Sequence, residues 1–293
     1  MAQLAMSSQI KNRINAILGL AGLELGTKRA ERHELARLER LSASRHWSTA
    51  RYDQGLEFEP AKYLQFLNSV CAPAKPDYAR LPQTLSEAQD GFVLQNDWFG
   101  AVDAEVLYSI VRYFRPRSIF EVGSGYSTAL MRRSIREGQL QTMLTSIDPQ
   151  PRVDVALYCD RAIRTGVQEL GVGEIVDSLQ KNDILFIDSS HVIQTGGDVP
   201  YLYLELIPRL RPGVLIHVHD IFIPFDYPEH FVKARYGWAE QYLLHAFLSY
   251  NSVFEIIWPS YYMWHFHRER LSETIPIREP AISPSSFWMR RLK

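Results

Sequence analysis

The 293-residue sequence predicts an α/β fold, a doubly wound, seven-stranded, mostly parallel sheet over residues 96–293, preceded by a helical amino-terminal extension over residues 1–95. Three observations predict it. Short apolar, β-branched runs alternate with segments of helical spacing, as parallel strands joined by crossover helices require. The central runs end at Gly or Asp (Val122-Gly123, Ile147-Asp148, Ile187-Asp188, His219-Asp220), at the strand ends where such sheets gather ligands. The last two runs, residues 253–258 and 286–289, fit an antiparallel edge pair.

The elements follow in order. In the extension, Ile10, Ile14, Ile17 and Leu18 recur at helical spacing, Gly26 interrupts, and Leu35, Leu38 and Leu41 resume the pattern. The Arg-rich stretch 29–45 has mixed charge, as a solvated helix face does. Residues 73–89, polar and proline-bearing, read as loop. Val102, Val106, Ile110, Val111 and Phe114 mark a helix over 101–114 that Pro116 stops. Residues 118–122 are the first strand and 128–136 the helix after it; 144–147 is the second strand, 153–161 a helix, 162–164 a short strand and 183–187 a buried strand. Asp198 is placed to cap a helix containing Tyr201, Leu202, Leu206 and Ile207. Arg211-Pro212-Gly213 turns into a strand over 214–218, and a helix follows over 238–248.

Composition removes several classes. With 46% hydrophobic and 22% charged residues the chain is neither disordered nor low-complexity. Its net charge of −1 argues against nucleic acid as partner, since phosphate binding needs a basic excess. Two cysteines, Cys71 and Cys159, make no disulfide framework and suit a reducing, cytoplasmic location. The apolar stretch 14–25 is short, is broken by Asn15 and Glu24, and has no small-residue cleavage site after it, so neither a membrane span nor a secretion signal is expected.

The most informative segment is EVGSGYST, residues 121–128, which leaves a strand and opens a helix. Gly123 and Gly125 let the backbone bend and approach a ligand, and the helix start offers free N–H groups. A nicotinamide-dependent oxidoreductase would use a similar loop, but its fingerprint places a third glycine where Thr128 stands. The acid before the glycines, Glu121, suits a ligand with an ammonium group better than a pyrophosphate. Asp148 ends the second strand 25 residues after Gly123, where a carboxylate can accept both hydroxyls of a ribose.

These two features resemble the class I S-adenosylmethionine-dependent methyltransferases, whose first motif is an acid followed by Gly-x-Gly and whose second is the acid ending strand two. The segments DILFIDSSH (183–191), GVLIHVHDIFIPFDYPEHF (213–231) and SSFWMRR (285–291) further resemble a bacterial group known as methyltransferase family 24. The resemblance covers residues 96–293 and implies a Rossmann-like methyltransferase fold, S-adenosyl-L-methionine as cofactor and a small-molecule methyl acceptor. It implies cofactor contacts from Glu121, Gly123, Ser124, Gly125, Tyr126, Ser127 and Asp148, with Asp188 and Ser189 beside them. Trp98 and Phe99 are expected to cover the methionine end.

Asp188 and Asp220 close neighbouring strands and converge on the same crevice. By analogy with catechol-type and macrolide-sugar O-methyltransferases they would hold magnesium, although Ile221 stands where the catechol type has an asparagine, one oxygen ligand fewer. His191, three residues past Asp188, is expected as general base because an unshifted imidazole titrates near neutrality; Asp188 and His219 are the other catalytic candidates. His217, deeper on the strand, reads as a core residue, and His230 as part of a lid. Tyr227, Tyr236, Trp238 and the aromatic run 258–264 either line an acceptor pocket or pack in the core. Oxygen is the expected methyl acceptor. A non-catalytic adenosyl-ligand binder is the alternative from another class, against which Asp188, His191 and Asp220 together argue. Residues 1–95 carry no motif of their own and are expected to cover the active-site mouth or make a homodimer contact.

Overall fold

The computed structural model describes residues 10, 12–22, 28–87, 91–151, 154–277 and 283–293. The chain divides into two compact units, Met1–Thr49 and Ala50–Lys293. In the first, α1 (residues 12–18) runs into a short turn that Gly22 closes in the left-handed conformation, φ 69°. The helix α2 (Lys28–Ala43) follows. The apolar spacing is helical as expected, but Ile14 and Ile17 are exposed. The interruption expected at Gly26 lies outside the described residues.

The second unit begins with α3 (Pro60–Phe66), which continues through a π-helical turn, Leu67–Cys71, into α4 (Ala72–Tyr78). Helix α4 replaces the first part of the loop expected over residues 73–89, while residues 79–87 are turns and bends. Pro73 follows directly on the π-helical turn and Pro76 stands inside α4, so both prolines are carried within a continuous helical run. Tyr63, Phe66, Val70 and Tyr78 bury in the same core as Ile119. The described residues of 50–95 therefore fold with the sheet.

Helix α5 (Asp103–Phe114) leads to β1 (Ser118–Val122), α6 (Tyr126–Glu137), β2 (Met143–Ile147) and β3 (Arg161–Ile163). The helix expected over 153–161 is only a single 3-10 turn, Val155–Leu157, among the described residues; Val153 lies outside them. Asp160 ends that stretch because its carboxylate accepts the Leu144 N–H at 2.8 Å and pairs with Arg132 at 2.7 Å. Then come α7 (Val172–Val176), β4 (Ile184–Ile187), α8 (Asp198–Tyr201), β5 (Leu215–Val218), α9 (Glu229–Lys233) and α10 (Glu240–Leu248). The unit closes with β6 (Phe254–Pro259), α11 (Ser260–Phe266), α12 (Arg268–Thr274) and β7 (Phe287–Arg291).

Among the described residues these strands form one seven-stranded sheet in the order β3-β2-β1-β4-β5-β7-β6. Only β7 runs antiparallel to its neighbours, β5 and β6. Both faces are covered: Ile119, Ile184, Phe186 and Leu215 point into one core, Phe120, Leu185, Ile187 and Ile216 into the other. Burial on both faces explains why β4 and β5 read as nearly continuous apolar runs. His217 is part of that core, as expected. Its ring stacks on Phe186 at 3.7 Å, its Nε2 meets Ser286 Oγ at 2.9 Å, and burial holds its pKa well below the ordinary value. No helix among the described residues is long and apolar enough to cross a membrane.

The strand order reverses direction between β1 and β4. At such a switch point the connections leave to opposite sides and open a crevice at the carboxyl ends of the strands.

Candidate active site

The ends of β1, β2, β4 and β5 open on a cavity of about 840 Å³, the size of a small-molecule site. Of the residues singled out from the sequence, Trp98, Phe99, Gly123, Ser124, Gly125, Tyr126, Ser127, Asp148, Asp188, Ser189, His191, His219 and Asp220 all line it. Glu121 does not.

The two loop glycines serve different ends. Gly123 has φ 82°, and a Cβ there would stand 1.8 Å from the Asp188 carbonyl oxygen. It is what lets the ends of β1 and β4 cross. Gly125 has extended backbone, φ 172°, and a Cβ there would meet nothing within 4 Å. Its missing side chain leaves room on the cavity side.

Glu121 is fully buried behind the loop, accepting hydrogen bonds from Ser127 Oγ at 2.7 Å and Thr128 Oγ1 at 2.6 Å. Thr128 Oγ1 in turn accepts the Gly125 N–H at 3.0 Å. Glu121, expected to contact the ligand, lies behind the loop and outside the cavity lining, and its two hydrogen bonds hold the loop's shape. Thr128, which broke the nucleotide fingerprint, is the link between that carboxyl and the loop backbone.

Burial pushes the Glu121 carboxyl up to about 8, against the two hydroxyls that favour its ionised form. Its folded value thus lies above the ordinary 4.5. The stabilising contribution is fully present below pH 4.5 and is lost as pH rises through about 8. In Glu121→Gln there is no proton to lose, so chemical denaturation across this window will show a flatter loss of stability than the parent chain.

Asp148 ends β2 with its Oδ2 accepting from Ser124 Oγ at 2.6 Å and its Oδ1 from the Gln150 N–H at 2.8 Å. A carboxylate has about four acceptor sites, so two remain for a ligand.

At the other end of the cavity lies a cluster of acids and imidazoles. His191 is buried; its Nδ1 is 2.8 Å from Glu240 Oε2, and its Nε2 is 3.4 Å from Asp188 Oδ1 and 3.5 Å from Asp220 Oδ2. Trp238 lies against its ring at 4.4 Å. His219, equally buried, has Nδ1 3.7 Å from Asp188 and 3.6 Å from Asp220, and Nε2 3.6 Å from Asp103 Oδ2. Asp103 Oδ2 also accepts the backbone N–H groups of Ser285 at 2.7 Å and Ser286 at 3.1 Å. Ser285 Oγ donates to Asp220 Oδ1 at 3.1 Å. The closing SSF segment thus holds two of the acids in place.

Backbone strain sits at the same point. His191 and Asp220 are both left-handed, φ 59° and 56°. The bend at His191 is held because its carbonyl accepts the Ala239 N–H at 2.9 Å and the Glu240 N–H at 3.2 Å.

These partners change the chemistry expected of His191. Burial favours its neutral form, but the neighbouring carboxylates of Asp188, Glu240 and Asp220 push its pKa up to about 10. His191 is therefore not the unshifted base that its sequence position suggested; in the free protein it keeps its proton. His219 is likewise raised well above the ordinary value, against burial, by Asp220, Asp188 and Asp103. Conversely, against burial, the imidazole charges hold the Asp188 and Asp220 carboxyls below the usual range, His219 first in each case.

Asp198 is the first residue of its helix, with Gly197 at the N-cap, and its Oδ1 accepts the Val199 N–H of the first turn at 2.9 Å. Its carboxylate accepts the Ser190 N–H at 2.9 Å and Ser190 Oγ at 2.6 Å, and so fixes the loop that carries His191. Ile221 is buried among apolar side chains and offers no ligand, as expected. His230 and Tyr236 lie outside the cavity lining, whereas Trp238 belongs to it. Asp103 and Glu240 were missed in the sequence. Each orients a histidine through a contact spanning dozens of residues, and no local pattern announces it.

A switch-point crevice, an acid-x-Gly-x-Gly loop after β1 and an acid ending β2 are the fold and site of a class I S-adenosylmethionine-dependent methyltransferase. Residues 120–221, from β1 to just past β5, match the family model described as Methyltransferase domain, the methyltransferase 24 group, and this part of the chain is a methyltransferase domain of that class. Comparison with curated proteins gives no match. Similar solved structures include an O-methyltransferase from Bacillus cereus in complex with SAH, 16% identical over 85% of this chain and 99% of that one, with a TM-score of 0.40. Another is the SAH-bound Podospora anserina methyltransferase PaMTH1, 13% identical over 92% of this chain and 98% of that one, TM-score 0.40. A third, cmcI-D160 with Mg and SAM, is 13% identical over 74% of this chain and 84% of that one, TM-score 0.37.

Proposed function

We propose that this enzyme moves the methyl group of S-adenosylmethionine to an oxygen of a small-molecule acceptor. The observation that carries the reading is that one cavity joins the glycine loop and Asp148 to the cluster of Asp188, His191, His219 and Asp220. The bound cofactor supplies an electrophilic methyl group on a sulfonium. The chain's own groups then have to position the acceptor and accept its proton.

The loop Gly123–Ser127 and the start of α6 take the amino-acid end, with free N–H groups facing its carboxylate. Trp98 and Phe99 lie over it, and Asp148 takes the ribose hydroxyls. The acceptor sits beside Trp238, above the ends of β4 and β5. Carboxylates outnumber imidazoles in this cluster, so it suits cationic ligands: the sulfonium and a divalent ion held by Asp188 and Asp220. An ion such as magnesium there would bind and polarise the acceptor oxygen. Among the described residues, Asp188, His191 and Asp220 each offer a ligand atom, all within 4.8 Å of one another. His219, backed by Asp103 at Nε2, presents Nδ1 to the same acids and takes the acceptor's proton. Once Asp188 and Asp220 are paired with a cation they hold the His219 proton less tightly, and the imidazole can act as base.

The test is titration calorimetry with S-adenosylhomocysteine and with a nicotinamide dinucleotide, followed by methyl transfer to a panel of hydroxylated and aminated small molecules. Binding of the first ligand alone, and methyl groups on oxygen, are the expected results; transfer to nitrogen overturns the acceptor assignment. Asp148→Ala will weaken S-adenosylhomocysteine by about 1–3 kcal/mol through the loss of two charge-assisted hydrogen bonds. Unchanged affinity removes the ribose assignment.

A further inference from the structure

The divalent-ion reading leaves open which side chain completes the ligand set and what ion that set selects. With Ile221 buried among apolar residues, the oxygen that an asparagine would give is missing. His191 stands in its place. Its Nε2 lies 3.4 Å from one Asp188 oxygen and 3.5 Å from one Asp220 oxygen. Those separations exceed the roughly 2.7–2.9 Å of a charge-assisted hydrogen bond. They suit donors that share one ion, each bonded to it at about 2.0–2.2 Å.

The far side of the ring is built as it is in metal-binding histidines. Glu240, fully buried, faces Nδ1 at 2.8 Å. A carboxylate at that distance keeps the proton on Nδ1, and in the neutral ring this leaves the Nε2 lone pair directed at the two aspartates. Trp238 packs on the ring, and the first backbone N–H of α10, with that of Ala239, holds the His191 carbonyl. The imidazole is therefore held at Nδ1 and against Trp238, with Nε2 facing Asp188 and Asp220.

We infer that His191 is the third protein ligand of this ion, oriented by Glu240, and that the site selects a first-row transition ion over magnesium. The inference rests on the divalent-ion reading above. Its physical basis is that magnesium prefers all-oxygen octahedral sites, whereas an imidazole nitrogen raises affinity for manganese through zinc.

The experiment uses the full-length protein, stripped with chelator. Calorimetry with Mg²⁺, Mn²⁺ and Co²⁺ is run on the parent chain, His191→Asn, Glu240→Gln and Asp188→Asn, with circular dichroism confirming that each is folded. The parent chain is expected to bind Co²⁺ at least tenfold more tightly than Mg²⁺. In His191→Asn that ratio should fall at least tenfold, because the nitrogen donor is gone. Glu240→Gln should weaken Co²⁺ by about 10–100-fold, the usual cost of losing an outer-sphere carboxylate. Proton NMR of the Co²⁺ form should show a strongly shifted exchangeable imidazole N–H that disappears in His191→Asn. An unchanged Co²⁺/Mg²⁺ ratio in His191→Asn, with Asp188→Asn losing both ions, overturns the inference while leaving a divalent site in place. If none of the three ions binds the parent chain, the divalent-ion reading fails and the inference fails with it.

Discussion

Gly123→Ala will leave no measurable methyl transfer, weaken S-adenosylhomocysteine by more than 100-fold, and lower stability by more than about 3 kcal/mol. Two independent penalties meet at this residue. The backbone is left-handed, φ 82°, which costs any L side chain. The new methyl would also lie 1.8 Å from the Asp188 carbonyl oxygen and 2.8 Å from its carbon. Both are main-chain atoms, so no side chain can swing aside. The Gly123 N–H is bonded to the Ile147 carbonyl at 3.0 Å, and the Asp188 N–H to the Val122 carbonyl at 2.8 Å. Relief of the clash has to part β1 from β4, and it carries Asp188 out of the cluster. Gly125→Ala is the control. It has extended backbone and open space around the new methyl, so its melting temperature will stay near that of the parent chain while ligand affinity falls. Equal melting temperatures and equal affinities for the two variants would mean that the loop does not do what its geometry says.

The contrast shows what a motif conveys. Gly-x-Gly marks the loop, but it does not say that the first glycine answers to a neighbouring strand and the second to the cavity. The sheet was legible because burial on both faces leaves β4 and β5 with almost nothing but apolar residues, and because an acid or a glycine ends each central strand. The helix α4 was hidden because prolines signal breaks, whereas Pro73 and Pro76 are carried in a helical run that widens to a π-helical turn just before them. The stretch before β3 was read as helical from spacing alone; the Asp160 contacts that end it come from β2 and α6.

In the site, the residues near motifs were found and their partners were not. Asp188, His191, His219 and Asp220 sit at or just past strand ends, which are visible in sequence. Asp103 and Glu240 lie at helix starts, where an acid is ordinary. Their value comes from the histidines they face across the fold. The protonation of His191 could not be read without such partners, because a lone histidine carries no sign of three surrounding carboxylates. Glu121 fails in the opposite direction. Its motif position points to ligand contact, but not to the two hydroxyls, six and seven residues later, that hold it behind the loop.

His219→Ala will lower turnover by about 10²–10⁴-fold, the usual cost of losing a positioned base, with S-adenosylhomocysteine affinity nearly unchanged. The reason is placement. His219 sits at the acceptor end, with Nδ1 toward Asp188 and Asp220 and Nε2 toward Asp103, and it is remote from Asp148 in the strand order. Asp103→Asn separates charge from folding. Its carbonyl oxygen, in the Oδ2 place, can still accept the Ser285 and Ser286 N–H groups and still faces His219 Nε2, so what is lost is the negative charge that holds the imidazole. Turnover should fall about 10–10²-fold, with the melting temperature close to that of the parent chain and KM for the cofactor unchanged. His191→Ala should also lose turnover, but saturating Co²⁺ or Mn²⁺ should recover part of it, because what is lost there is a ligand to the ion. No added ion replaces a proton acceptor, so His219→Ala should stay inactive under the same conditions. If metal rescues His219→Ala and not His191→Ala, the two imidazoles have exchanged roles, and the base is the one that Glu240 holds.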